Sequence, residues 1–152
     1  MGIRAMIATD GTELSVAAAE RALRYLPADA EILLISITED LYDPSLDAGG
    51  FAGPVMDEEH ALQRFNAAQA EGQAAVERVV RHLGNHQVAE RVVASSSAVP
   101  DAIAAVARDE QVDLIVVGPS QAGWFERHLL GGTDERLLRT APCPVLVMSG
   151  DR

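Results

Sequence analysis

The sequence predicts an α/β fold, a parallel sheet with helices on both of its faces. Two observations carry this. Short apolar runs alternate along the chain with segments of helical apolar spacing, an order that builds a parallel sheet. Two of the runs, EILLISI at residues 31–37 and VDLIVV at residues 112–117, are apolar at consecutive positions, so both of their faces must be covered. A length of 152 residues suits one domain, residues 1–152, and a hydrophobic content of 48% is enough to fill one core.

The elements follow in order. Residues 3–8 form a short apolar run holding one arginine, a first strand, and Thr9-Asp10-Gly11-Thr12 is the loop after it. Residues 14–26 carry Leu14, Ala17, Ala18, Ala22, Tyr25 and Leu26 at helical spacing, and Pro27 ends the helix. The strand at 31–37 leads into residues 38–56, rich in Asp, Gly and Pro, the one long irregular stretch. A long amphipathic helix is predicted over residues 57–83, with Leu62, Phe65, Gln69, Gly72, Val76, Val79 and Leu83 on one face and Gly84-Asn85 as its stop. Residues 87–94 (QVAERVVA) read as the third strand. Pro100 suits the first turn of the next helix, which runs to Asp109. The fourth strand is residues 112–117, a short helix covers 133–139 with Asp134 and Glu135 near its start, and residues 144–148 (PVLVM) are the last strand.

Charge narrows the partners. The net charge is -11, and the basic residues are scattered arginines, so nucleic acid and anionic membranes are not expected partners. Phosphate, if bound, must be held by backbone amides, helix ends or a metal ion. No apolar run approaches the roughly 18 residues of a membrane span. The opening MGIRAMIATDG reads as strand and turn rather than secretory signal, which makes the cytoplasm the expected location. The lone Cys143 excludes an internal disulfide.

In open parallel sheets ligands bind beyond the carboxyl ends of the strands, where strand order reverses. Asp10, Ile37 and Gly118 each stand at such an end, which lets them meet in one crevice. Gly131-Gly132-Thr133 adds a helix start with amides suited to phosphate.

These residues resemble the universal stress protein family. The resemblance rests on the first strand ending in Asp10-Gly11-Thr12, on LLISI, VDLIVVG, LLGG and APCPVLVM, in order from residue 3 to residue 148. It implies five parallel strands in the order 3-2-1-4-5, doubly wound, and a homodimer through the last strand, residues 144–148. It also implies a stress-response role and ATP, with Mg²⁺, as the cofactor. The family's ATP pattern G-x2-G-x9-G-[ST] falls on Gly118, Gln121, Gly131 and Gly132, so the second and fourth positions depart from it. Gly123 and Thr133 supply a glycine and a hydroxyl out of register. A side chain at a position needing positive φ costs about 1–2 kcal/mol, and a lost hydroxyl about 0.5–1.5 kcal/mol. Binding is expected to be weakened by about one to two orders of magnitude rather than abolished. By the same resemblance Asp10, beside Thr9, matches the adenosine contact and Ile37 the adenine-side contact.

Each candidate also has an ordinary reading. Asp10 serves equally as a turn residue, and Ile37 as a core strand residue. Cys143 lacks a basic neighbour to activate it and reads as structural. His60, His82, His86 and His128 make no metal pattern. Trp124 and Phe125 could be a lid, a partner patch or an anchor on the core, and Glu39, Asp40, Asp43 and Asp47 read as a solvated acidic loop. No HxGH or SGGxDS-like signature is present, so an adenylyl transferase or ATP pyrophosphatase is not supported, and little turnover is expected. The alternative to a nucleotide-binding protein is a dimeric protein-interaction module of the same family that binds no nucleotide.

Overall fold

The computed structural model describes residues 2–39, 58–118 and 133–148. The chain runs β1 (Arg4–Ala8), α1 (Glu13–Ala22), β2 (Glu31–Glu39), α2 (Glu58–Val80), β3 (Gln87–Ser95), α3 (Val99–Asp109), β4 (Leu114–Val117), α4 (Thr133–Thr140) and β5 (Val145–Val147). The five strands form one sheet in the order β3-β2-β1-β4-β5. All pairings are parallel, with Ile7 opposite Leu34 on one side and Val116 on the other. Helices join the paired strands, as parallel neighbours require.

Side chains alternate between sheet faces along a strand, and that alternation divides the core into two layers. Met6, Ala8, Leu33, Ile35, Ile115 and Val117 meet Ile103, Ala104 and Ala107 of α3 and Leu137 of α4. Ile7, Ile32, Leu34 and Val116 meet Ala18, Ala19 and Ala22 of α1, Val76 and Val79 of α2, and Leu83 just after it. The doubly wound arrangement expected from the sequence is therefore present, with α1 and α2 on one face and α3 and α4 on the other.

Two helices depart from their predicted course. α1 ends at Ala22, and residues Leu23–Tyr25 tighten into a 3₁₀ turn. Three residues per turn rotate the following side chains off the α-helical stripe, and Tyr25 is 70% exposed rather than on the buried face. Leu26 is extended, at φ −98 and ψ 143, as a residue before proline prefers. α2 stops at Val80, and His82 and Leu83 continue with N–H bonds to Val79 and Val80, three residues back. Gly84 follows at φ +63, which glycine adopts without a Cβ penalty. The stripe predicted for this helix is buried at Gly72, Val76, Val79 and Leu83, whereas Leu62 is exposed. A Cβ on Gly72 would touch Val92 and Thr38 near the ends of β3 and β2, so the helix ahead of Gly72 has little sheet left to cover.

The fourth strand begins two residues later than its apolar pattern suggests. Gln111 takes φ +52 after α3, and Val112 spends its N–H on Ala107 O before pairing begins. Arg4 then ties this end of the sheet together. It donates to the Glu110 carbonyl at 2.7 Å and pairs with the Glu110 carboxylate at 3.0 Å, which also holds Arg91 of β3.

Candidate functional site

At the carboxyl end of β1 the chain makes a tight turn whose polar groups are largely engaged with one another. Ser15 Oγ donates its proton to Thr12 O at 3.1 Å, so Thr9 Oγ1 must be the donor in their 2.7 Å contact. Thr9 Oγ1 in turn accepts the Gly11 N–H at 3.1 Å. Thr9 is 1% exposed, and its hydroxyl shapes the loop from inside. The Asp10 carboxylate accepts from Thr12 N at 3.0 Å and from Thr12 Oγ1 at 2.7 Å through the same oxygen, Oδ1. Thr12 also caps α1, accepting the Ser15 N–H at 3.3 Å. Asp10 is half-buried, so the turn presents a carboxylate at the end of the central strand.

Gly11 takes φ +74, and a Cβ there would lie 2.6 Å from Ala75 Cα on α2. Arg78, one turn further along α2, donates from Nη1 to the Gly11 carbonyl at 3.1 Å. The turn is thus built from within by Thr9, Asp10, Thr12 and Ser15, and from outside by α2. Arg78 lies 67 residues from Gly11, and no spacing signal in the sequence links the two. Ser15 could have been found from the sequence, since a hydroxyl three residues after a Thr N-cap is placed to close such a turn.

The neighbouring strands end beside this turn. Ile37 is half-buried and packs on the α3–α4 side of the core. Thr38 next to it accepts a hydrogen bond from Gln69 of α2 at 3.2 Å. Gly118 follows β4, which pairs with β1. A Cβ on Gly118 would lie 2.4 Å from Ala18 Cβ, so glycine is required there by the packing of α1 whatever the ligand. Thr133 opens α4, and Arg136 in that helix forks onto Asp101 of α3 with bonds of 2.9 and 2.6 Å. Strand order reverses between β1 and β4, and the structure brings Thr9, Asp10, Ile37 and Gly118 to that end of the sheet. Gln121, Gly131 and Gly132 lie outside the described residues, as do Trp124, Phe125, Asp40, Asp43 and Asp47.

The other polar candidates have local partners. His82 Nδ1 lies 2.7 Å from Arg78 O and His86 Nδ1 lies 2.8 Å from Leu83 O. Among the described residues no three His, Cys, Asp or Glu side chains cluster for a metal ion, and no helix is long and apolar enough to cross a membrane. Cys143 packs against the α3–α4 layer. Burial raises its thiol pKa, and the charge of Asp113 raises it further, against a smaller opposing effect of backbone hydrogen bonding at Ile115.

Residues 3–149 match the universal stress protein family. The chain is a member of that family. Its sequence is 29% identical over 145 residues to universal stress protein MJ0531 of Methanocaldococcus jannaschii, spanning 94% of this chain and 79% of that protein. Its fold matches that of the hypothetical protein MJ0577 with a TM-score of 0.72, at 20% identity over 100% of this chain and 99% of that one. It also matches a universal stress protein family member from Arabidopsis thaliana solved with AMP bound, with a TM-score of 0.65 at 18% identity over 98% and 92% of the two chains. Universal stress proteins of this fold have been solved with cAMP and, from Archaeoglobus fulgidus, with dAMP.

Proposed function

We propose that this universal stress protein binds an adenine nucleotide where its strand order reverses, beyond the carboxyl ends of β1, β2 and β4. The observation that carries the reading is the convergence of the Asp10 turn, Ile37 and Gly118 at that end of the sheet. Relatives of the same fold solved with AMP, cAMP and dAMP support the choice of ligand class. In this reading Thr9, Asp10 and Ile37 form the adenosine side, Thr9 by shaping the loop. Gly118, Gln121, Gly131, Gly132 and Thr133 form the phosphate side, and the start of α4 offers its amides and dipole to the phosphates. ATP with Mg²⁺ is the full ligand proposed. The chain's net charge of -11 makes neutralisation of a triphosphate by a cation advantageous. Calorimetric titration with AMP, and with ATP with and without Mg²⁺, tests the reading. Binding strengthened by Mg²⁺ is the expected result for ATP. No heat and no thermal shift at millimolar nucleotide would sink it.

The role proposed is a cytoplasmic stress-response protein acting as a homodimer. β5 is an edge of the sheet, with one side on β4 and Val147 49% exposed. An apolar edge strand of this kind is a template for pairing with a second copy. Sedimentation equilibrium should give a dimer that Val147→Arg converts to monomer. A monomeric wild type overturns that assignment.

A further inference from the structure

We infer that Arg78 is a positioning residue for the Asp10 turn, setting the adenosine side of the crevice from a helix outside it. The inference rests on the nucleotide reading above. The Gly11–Thr12 peptide is planar, so its C=O and N–H point in opposite directions and cannot be aimed separately. One end of this peptide is held by Arg78 Nη1, 3.1 Å from Gly11 O. The other end, Thr12 N–H, reaches Asp10 Oδ1 at 3.0 Å. Fixing the carbonyl towards α2 therefore aims the N–H at the Asp10 carboxylate and fixes the carboxylate in turn. The helical ladder of α1 does not do this, because its first acceptor is Thr12 O, which takes Val16 N.

Glycine makes this control necessary. Gly11 at φ +74 has little steric preference for one peptide orientation, so the Gly11–Thr12 unit is set by its hydrogen bonds, one inside the turn to Asp10 and one from outside it, from Arg78. Ala75 and Arg78 are three residues apart and share one side of α2. Ala75 lies against Gly11 so closely that a Cβ on the glycine would meet its Cα at 2.6 Å, which seats the turn, and Arg78 orients it.

The test compares wild type with Arg78→Met and Arg78→Lys by calorimetric titration with AMP and with adenosine, and by amide hydrogen exchange without ligand. Arg78→Met is expected to weaken AMP binding by about 3- to 10-fold, the scale of one net hydrogen bond. The loss should be equal for adenosine, because the turn faces the nucleoside. Arg78→Lys, which keeps a donor, should recover most of it. In an Asp10→Ala background Arg78→Met should cause no additional loss, since the two act in series. Without ligand the Thr12 amide should exchange faster in Arg78→Met while Ile7 and Leu34 stay unchanged. Wild-type binding that Arg78→Met leaves unaltered, or an unaltered Thr12 exchange rate, overturns this inference alone. Wild-type protein that binds neither AMP nor adenosine overturns the nucleotide reading and this inference with it.

Discussion

Gly118 stands in the first position of the family's nucleotide pattern, yet the fold gives it a second reason to be glycine. Replacing it with alanine puts a methyl 2.4 Å from Ala18 Cβ. Carbon atoms in contact prefer about 3.5–4.0 Å, so α1 must retreat from β4 by about 1 Å or more. Gly118 is not among the positive-φ glycines of the described residues, which are Gly11 and Gly84, so the substitution adds no backbone strain. Overpacking alone then costs about 1–3 kcal/mol, which lowers Tm by about 2–12 °C for a chain of this length. The partner substitution isolates the cause. Ala18→Gly loses a buried methyl, about 0.8 kcal/mol, and helix propensity, about 1 kcal/mol. In the double variant the new methyl occupies the vacated space, and the next atom it meets is the residue-18 Cα at 3.9 Å. The double variant should therefore be about 1 kcal/mol less stable than wild type, retaining only the helix term. A coupling of about 2–4 kcal/mol between the two sites is the signature, read by urea unfolding of all four proteins. A stable Gly118→Ala protein, or strictly additive losses, would refute the packing argument. The same proteins bear on function: AMP binding that returns with stability in the double variant assigns Gly118 to packing, and binding that stays lost assigns it to phosphate approach as well.

Three further outcomes follow from the same geometry. Gly11→Ala combines a left-handed φ, about 1–2 kcal/mol, with contact to a helix backbone atom. It should cost about 3 kcal/mol in urea unfolding, and Ala75→Gly should not rescue it, because Ala75 Cα itself lies 2.6 Å from the added methyl. Glu110→Gln removes the charge that Arg4 and Arg91 share. Both arginines are partly exposed, so the loss should be about 1 kcal/mol and should shrink in 1 M salt; a loss insensitive to salt contradicts an ionic origin. Cys143 has a raised thiol pKa, so less of it is thiolate at any pH below its midpoint than in an ordinary cysteine. Its alkylation by iodoacetamide should have a pH midpoint above that of a small thiol peptide, and a midpoint at or below it would show that burial does not control the group.

The departures from the sequence reading share a physical origin. Apolar patterning located the strands and the first two helices, and helix-start residues such as Pro100, Asp134 and Glu135 located the other two, because both signals are local properties of the chain. The patterning misplaced Tyr25 and Leu62, because the period does not say where a helix tightens into a 3₁₀ turn, as at Tyr25, or how far the sheet extends beneath it, as at Leu62. The candidate site shows the same division. Asp10 and Gly118 were legible as strand ends and Ile37 as lying near one, although β2 runs two residues further, to Glu39; a parallel sheet sends all such ends to one side. The inward turn of the Thr9 hydroxyl was not legible, because it depends on the contact with Ser15 Oγ and the Gly11 N–H that forms once the loop folds back on the start of α1.

The amino-acid order alone therefore determined the alternation of elements, the two-faced core and the side of the sheet on which the strands' carboxyl ends gather. These follow from hydrophobic period, chain connectivity and the handedness of parallel crossovers. The tertiary structure alone decided what occupies the space beside Gly11 and Gly118. Ala18 against Gly118, and Ala75 and Arg78 against Gly11, are contacts between residues far apart in the chain. No local preference encodes them, because they exist only once α1 and α2 have packed on the same face of the sheet.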